Sequence, residues 1–101
     1  MPDEIIRFNK GTIEDLIVDL SDRLENLNDL AGAGPIYDVR QKYSSVWIVQ
    51  QNPAVAVGMS AYCLLDTTAG DYVAGEYELF LTFTELALAP RLGPIRFRLD
   101  D

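Results

Sequence analysis

Two segments near the end of the chain alternate apolar and polar side chains, and this alternation limits the fold more than any other feature of the sequence. In residues 77–83 one face collects Tyr77, Leu79, Leu81 and Phe83. In residues 95–99 three apolar side chains alternate with Arg96 and Arg98. A period of two predicts a β-strand with one face on the core. The intervening Ala89 to Pro94 is predicted to be a connection, because proline donates no ladder hydrogen bond and glycine permits a bend.

Four more short segments have the composition of strands. They are rich in β-branched, aromatic or aliphatic residues, which suit a pleated and half-buried surface, and they cover 35–40, 46–49, 54–57 and 59–65. Turn residues such as Gly58 and the stretch 66–71 separate them. Five or more short strands at this spacing favour a sandwich or a barrel.

Residues 12–27 are ambiguous. Six apolar residues recur there at helical intervals, which favours a helix over about 13–27 and so an α+β fold. The same stretch also alternates, because Leu16, Val18 and Leu20 are interleaved with Asp15, Ile17 and Asp19. The residues alone leave both alternatives open.

Size and charge exclude several classes of protein. A chain of 101 residues with 49% apolar and 24% charged residues is predicted to form one globular domain over 1–101. Its net charge of −8 repels phosphate backbones, so we expect no nucleic-acid partner. No apolar run is long enough for a membrane span, and MPDEIIRF lacks the pattern of a secretory signal, so we expect no membrane partner and a protein assembled in the cytosol.

Charge is also uneven along the chain. Residues 1–30 contain eight acidic and three basic residues, a sum of −5. Residues 91–101 contain three arginines and two aspartates, a sum of +1. This asymmetry permits head-to-tail or side-by-side contacts between copies, although a solvated charge run is the simpler interpretation.

The sequence offers little for catalysis. It has no histidine, the usual general base and metal ligand, and its single cysteine, Cys63, lies in an apolar run typical of a buried residue. Glu76 and Glu78 would point the same way on a strand, and acids flank residues 66–76, but neither spacing matches a glycosidase pair or a calcium loop. We therefore expect no enzyme, no cofactor and no metal site.

The order of several short motifs along the chain resembles a known family. Phe8-Asn9-Lys10-Gly11 precedes the segment 15–22, DLIVDLSD, and the segment 28–33, NDLAGA, leads into 36–40, IYDVR. Later, AGDY at 69–72, GEYEL at 75–79 and the closing run from Pro90 to Leu99 follow in the same order. This pattern resembles the immunoglobulin-like domains of tailed-phage structural proteins, with the N-terminal domain of phage baseplate upper proteins as the best-known relative.

The resemblance implies a small immunoglobulin-like β-sandwich of about seven short antiparallel strands, in which Asp15 to Leu20 is a strand. It also implies a structural virion protein that binds neighbouring capsid, head-to-tail connector or tail and baseplate proteins by surface contacts. The partners would be other phage structural proteins, with several copies of the chain in one assembly, located in the virion. The family pattern contains no catalytic residues.

Two groups of residues are predicted to make these contacts. The segment 46–57 is more apolar than one strand can bury, so Trp47, Ile48, Val55 and Val57 are candidates, with a buried pair of core strands as the alternative. Arg91, Arg96 and Arg98 are candidates on the wet side of the last strand. A different function, a carbohydrate-binding module, would use Trp47 and exposed tyrosines as a platform for sugars. Burial of these aromatic residues in the core is the simpler expectation.

Overall fold

The computed structural model describes residues 5–20, 32–68, 70, 72–86 and 91–101. These residues form eight β-strands and no helix. In chain order the strands are β1 (Ile6–Asn9), β2 (Ile13–Asp19), β3 (Pro35–Gln41), β4 (Trp47–Pro53), β5 (Val55–Val57), β6 (Ser60–Asp66), β7 (Gly75–Phe83) and β8 (Arg91–Asp100).

The strands form two sheets that pack as a sandwich. One sheet has five strands in the order β1-β8-β7-β3-β4, and the other has three in the order β2-β6-β5. The central order β8-β7-β3 and the order β2-β6-β5 correspond to strands G-F-C and B-E-D of the immunoglobulin sandwich. The predicted all-β sandwich is confirmed. The described residues form eight strands rather than about seven, and β1 pairs with β8 in parallel.

The alternative of a helix over 13–27 is wrong for its first part. Residues 13–19 form β2, which pairs with β6 in an unbroken antiparallel register from Ile13 opposite Asp66 to Asp19 opposite Ser60. Leu16 and Leu20 are buried, as either periodicity predicts, but Ile17 is exposed. A helix would have placed Ile17 on its apolar stripe, whereas pairing with β6 turns it outward, and pairing overrides local propensity. Residues 21–27 lie outside the described residues.

The predicted connection from Ala89 to Pro94 is wrong from Arg91 onward, because β8 begins at Arg91. Leu79 is opposite Ile95 and Leu81 is opposite Leu92, so β8 has one more residue than β7 between these two pairs. The extra residue forms a bulge that includes Gly93 and Pro94, and bulges are where strands accept proline. Ala89 and Pro90 lie outside the described residues.

The core lies between the two sheets. The alternating set of β7 is fully buried, as predicted, together with Phe97 and Leu99 of β8, while Ile95 is partly buried. The rings of Tyr77 and Phe97 stack with centroids 5.3 Å apart and 13° between their planes. The predicted burial of Cys63 is also confirmed, since it is 0% exposed.

Tyr77 connects the start of β7 to the turn before it. Its hydroxyl donates a hydrogen bond to the carbonyl oxygen of Val73 (2.7 Å) and accepts one from the N–H of Val73 (2.8 Å). Immunoglobulin domains carry a tyrosine corner at this position, with a cysteine two residues later. This chain has Leu79 at the position of that cysteine. The Tyr77 hydroxyl and the apolar packing of Leu79 therefore stabilise this corner without a disulfide.

Removing the Tyr77 hydroxyl should destabilise the sandwich. Tyr77→Phe keeps the stacked ring but loses both hydrogen bonds to Val73, and we expect the free energy of unfolding to fall by about 1–2 kcal/mol. Urea unfolding measures this difference. The matched control is Tyr43→Phe, because the Tyr43 ring is 91% exposed. Equal stability of the two variants would contradict this role for Tyr77.

Gly93 should be nearly irreplaceable. A Cβ atom at this position would lie 2.8 Å from Cδ2 of Phe80 and 2.9 Å from the carbonyl oxygen of Leu79, and its φ of 137° disfavours other residues. We expect Gly93→Ala to lower the free energy of unfolding by roughly 2–5 kcal/mol through overpacking and backbone strain. Gly70→Ala is the control, because no atom lies within 4 Å of its Cβ position. Thermal melts that show the same loss in both variants would rule out the close approach as the cause.

Candidate contact face

The outer surface of the three-stranded sheet is apolar. Outward positions alternate along β2 and β6, and β5 adds two valines, so that the face consists of Ile13, Ile17, Val55, Val57, Tyr62 and Leu64. We call these six residues the apolar face. Five of them are more than half exposed: Ile13 59%, Ile17 52%, Val55 63%, Val57 55% and Leu64 51%.

The strand register places one uninterrupted apolar row across the middle of this face. Ile17 of β2 is opposite Tyr62 of β6, and Tyr62 is opposite Val55 of β5. One row of three apolar side chains therefore crosses all three strands. From strand spacing and rise, the outward positions of the three strands cover roughly 300 Å², of which Asp15, Asp19, Ser60 and Asp66 occupy part. The largest apolar patch on a monomeric protein typically measures about 300–600 Å² and is often a functional site.

Acidic residues lie within and beside the apolar face, and the three strands that form it contain no basic residue. Asp15 and Asp19 lie beside Ile17 on the outward side of β2, and Asp66 is opposite Ile13. The sequences of β2, β5 and β6 contain no lysine or arginine. A partner for this face therefore needs apolar side chains at its centre and positive charge at its border.

The outer surface of the five-stranded sheet carries aromatic rings in contact with arginines. Trp47 and Phe80 meet edge to face with centroids 5.7 Å apart. The Arg40 guanidinium carbon lies 5.0 Å from the Trp47 ring centroid and 5.1 Å from that of Phe80, and the corresponding distances for Arg91 are 5.4 and 4.9 Å. We call Arg40, Trp47, Phe80 and Arg91 the arginine–aromatic cluster. Such contacts between guanidinium groups and rings are attractive.

Carboxylates orient both arginines of the cluster. Arg40 Nε lies 3.2 Å from Glu78 Oε1, and Arg91 Nη2 lies 3.4 Å from Asp38 Oδ2. Asp38 is buried, and its other oxygen accepts a hydrogen bond from the N–H of Gln51 (2.8 Å). The Asp38 carboxylate therefore links β3, β4 and β8 at the position of the cluster.

Opposite charges also alternate along the rest of this outer surface. Lys42 Nζ lies 3.0 Å from Glu76 Oε2, and Glu76 is opposite Arg98 of β8. The pKa of Glu76 lies below its usual value. The largest cause is the hydrogen bond from Lys42, followed by the charge of Lys42 and then by the charges of Arg98 and Arg96. Glu76 therefore stays ionised at neutral pH and balances the basic residues around it.

The predicted contact residues separate into two places. Val55 and Val57 belong to the apolar face, while Trp47 and Arg91 belong to the arginine–aromatic cluster on the opposite side of the sandwich. Arg96 and Arg98 lie on the same outer surface as the cluster, opposite Glu78 and Glu76. Ile48 is half-buried and packs against the core.

The segment 46–57 does not form a buried pair of core strands, because the chain crosses from one sheet to the other between β4 and β5. Both strands lie at sheet edges, and both valines of β5 are exposed. Sequence reasoning missed Ile13, Ile17 and Leu64. The outward alternation of Ile13, Asp15, Ile17 and Asp19 is the signal that would have found two of them, once 13–19 is taken as a strand.

The aromatic residues considered for a sugar platform do not form one exposed group. Tyr37, Tyr72 and Tyr77 are buried, so they offer no surface to a sugar. The Tyr37 hydroxyl donates to the carbonyl oxygen of Leu64 (2.6 Å) and accepts from Nδ2 of Asn52 (2.8 Å), and so joins the two sheets. The Trp47 ring contacts two guanidinium groups.

The described residues contain two shallow pockets of note. One of about 270 Å³ lies around Gln41, Ser44 and Trp47, and one of about 220 Å³ lies between the sheets beside Tyr37 and Leu64. Within the described part of the chain, no group of three or more cysteine, aspartate or glutamate residues is close enough to bind a metal ion. The same part of the chain contains no helix that is long and apolar enough to cross a membrane.

Comparison with protein-family models, with curated proteins and with solved structures found no match to this chain.

Cys63 should be unreactive in the folded protein. Burial, and to a smaller extent the charge of Asp15, raise the pKa of its thiol to about 12. The thiol is therefore almost entirely protonated at neutral and mildly alkaline pH, and the thiolate is the nucleophile. We expect iodoacetamide to leave native protein unlabelled and to label one thiol per chain in urea, as measured by mass spectrometry. Equal labelling rates in the two states would contradict burial of Cys63.

Proposed function

We propose that this chain is a structural protein of a tailed-phage particle and that it acts by contact. It binds a neighbouring structural protein of the particle through the apolar face. The occupant of this face presents an apolar surface bordered by lysine or arginine. The observation that carries the proposal is the outward placement of five aliphatic side chains, each more than half exposed, beside three aspartates.

The estimated free energy of binding fits a contact that is one of several within an assembly. Burying a half-exposed aliphatic side chain contributes about 1 kcal/mol, so five contribute roughly 5 kcal/mol. The loss of translational and rotational freedom on association costs about 4–15 kcal/mol. The apolar face alone therefore supports only weak binding. Several simultaneous contacts in a particle raise the effective concentration, and weak faces then give stable assemblies.

The phage setting is supported by the order of the family-like motifs on the strands. Lys10-Gly11 forms the turn between β1 and β2, and the segment 36–40 lies within β3. GEYEL opens β7, and Gly93 to Leu99 lie within β8. The segment 21–31, which includes most of the NDLAGA motif, lies outside the described residues. An immunoglobulin-like sandwich serves many functions, so the contact face, rather than the fold, carries the functional argument.

Placing a charge on the apolar face should remove the chain from particles. Ile17→Lys puts an ammonium group in the central apolar row without changing the core, because Ile17 is exposed. We expect mass spectrometry of purified particles to detect the wild-type chain and to show at least about a tenfold loss of the variant, since replacing the central apolar contact by an ammonium group that must lose its water costs more than about 1.4 kcal/mol.

The matched control is Val73→Lys, at an exposed apolar residue in the turn before β7, which should be incorporated like the wild type. Thermal melting of both purified variants separates loss of binding from loss of folding. Purified particles that lack the wild-type chain would overturn the proposal. Normal incorporation of Ile17→Lys would show that the apolar face is not the contact.

A further inference from the structure

Charge is divided unequally between the two sheets. The strands of the three-stranded sheet contain four acidic residues and no basic residue, a sum of −4: Glu14, Asp15, Asp19 and Asp66. The strands of the five-stranded sheet contain five arginines (Arg7, Arg40, Arg91, Arg96 and Arg98) and four acidic residues (Asp38, Glu76, Glu78 and Asp100), a sum of +1. Lys42 follows directly after β3. In a chain of net charge −8, this is a pronounced separation.

The outer surface of the five-stranded sheet has the chemistry that the apolar face needs in a partner. It offers two partly exposed aromatic rings, Trp47 and Phe80, and arginines beside them. The side chains of Arg91 and Arg98 are 47% and 41% exposed, and Arg96 is exposed as well. Guanidinium groups that already lie over rings keep donors available for an incoming carboxylate, because each has five N–H groups.

We propose that the partner of the apolar face is a second copy of this chain, bound head to tail. The apolar face of one copy packs against the arginine–aromatic cluster of the next, and Asp15 and Asp66 approach Arg91 and Arg96 of the neighbour. This inference rests on the proposed function, since it names the neighbour in the contact.

Pairing of two apolar faces with each other is less favourable. Such a contact would bring Asp15 and Asp66 from each copy to one interface, and β2, β5 and β6 provide no cation to neutralise them. Like charges placed together across an interface cost several kcal/mol. The head-to-tail arrangement instead places the carboxylates of Asp15 and Asp66 near guanidinium groups. Complementary charge of this kind sets the orientation and raises the rate of association.

A head-to-tail contact leaves one unused face at each end of a pair. Contacts of this heterologous type continue until the rotation between copies closes a ring, or they extend into a filament. A filament held by this one repeated contact grows gradually with concentration, whereas closure of a ring adds a second contact per copy and makes assembly cooperative. Part of the attraction is between partly exposed charges, and salt should weaken it.

Two variants that block opposite faces test the inference. Ile17→Lys blocks the apolar face, and Arg96→Glu blocks the opposite surface without removing an arginine of the cluster. Analytical ultracentrifugation of the wild type at high protein concentration and low salt should show oligomers larger than a dimer. Each variant alone should be monomeric, with a dissociation constant raised about tenfold or more.

The decisive measurement is the equimolar mixture of the two variants. Each variant keeps the face that the other lacks, so the mixture should form a dimer and grow no further. If apolar faces paired with each other, Arg96→Glu alone would still dimerise and the mixture would contain no dimer between the two variants. Either of those results would overturn the proposal.

Thermal melting checks that both variants fold. Because Arg96 is opposite Glu78, Arg96→Ser provides a second variant without a new carboxylate beside Glu78, and it should weaken assembly less than Arg96→Glu. A wild type that stays monomeric at every concentration would overturn the self-contact. Incorporation into particles that still depends on Ile17 would then show that the apolar face binds a different structural protein, and the proposed function would stand.

Discussion

The pairing of β7 with β3 determines which side chains the sandwich can bury. Seven consecutive pairs, from Pro35 opposite Phe83 to Gln41 opposite Tyr77, hold the two strands in one antiparallel register. A slip of either strand by one residue would turn its apolar set outward and bring Glu78 or Asp38 into the core. Because β8 and β4 pair with the other edges of these strands, the same register also places the arginine–aromatic cluster on the outer surface.

The outer surfaces of the two sheets differ in how their apolar side chains are covered. The five-stranded sheet covers its outer aromatic rings with guanidinium groups and pairs those groups with carboxylates, as the contacts of Arg40 with Glu78 and Phe80 illustrate. The three-stranded sheet has no long basic side chains with which to cover Ile17 or Leu64, and these residues contact water. Lysine and arginine stems often cover apolar surface in this way, and their absence is what leaves the smaller sheet exposed.

Local alternation predicted the core correctly where only one periodicity was present. Residues 77–83 have no competing helical pattern, so their buried set could be read from the sequence. Residues 13–19 satisfy helical and strand patterns together, and only the partner strand β6 decides between them. The apolar face was predicted only at Val55 and Val57, because the whole face depends on the adjacency of three strands that are separate in sequence. The bulge at Gly93 was missed since its extra residue is visible only against β7.

Burial of the single thiol, that of Cys63, determines how the fold responds to redox conditions. With Cys63 enclosed in the core, the folded chain has no cysteine that could cross-link it internally or to another molecule. Disulfide bonds therefore contribute neither to the folded sandwich nor to a contact that it makes. The equilibria of folding and of contact shift with concentration, temperature and salt, and they are independent of the redox potential of the compartment.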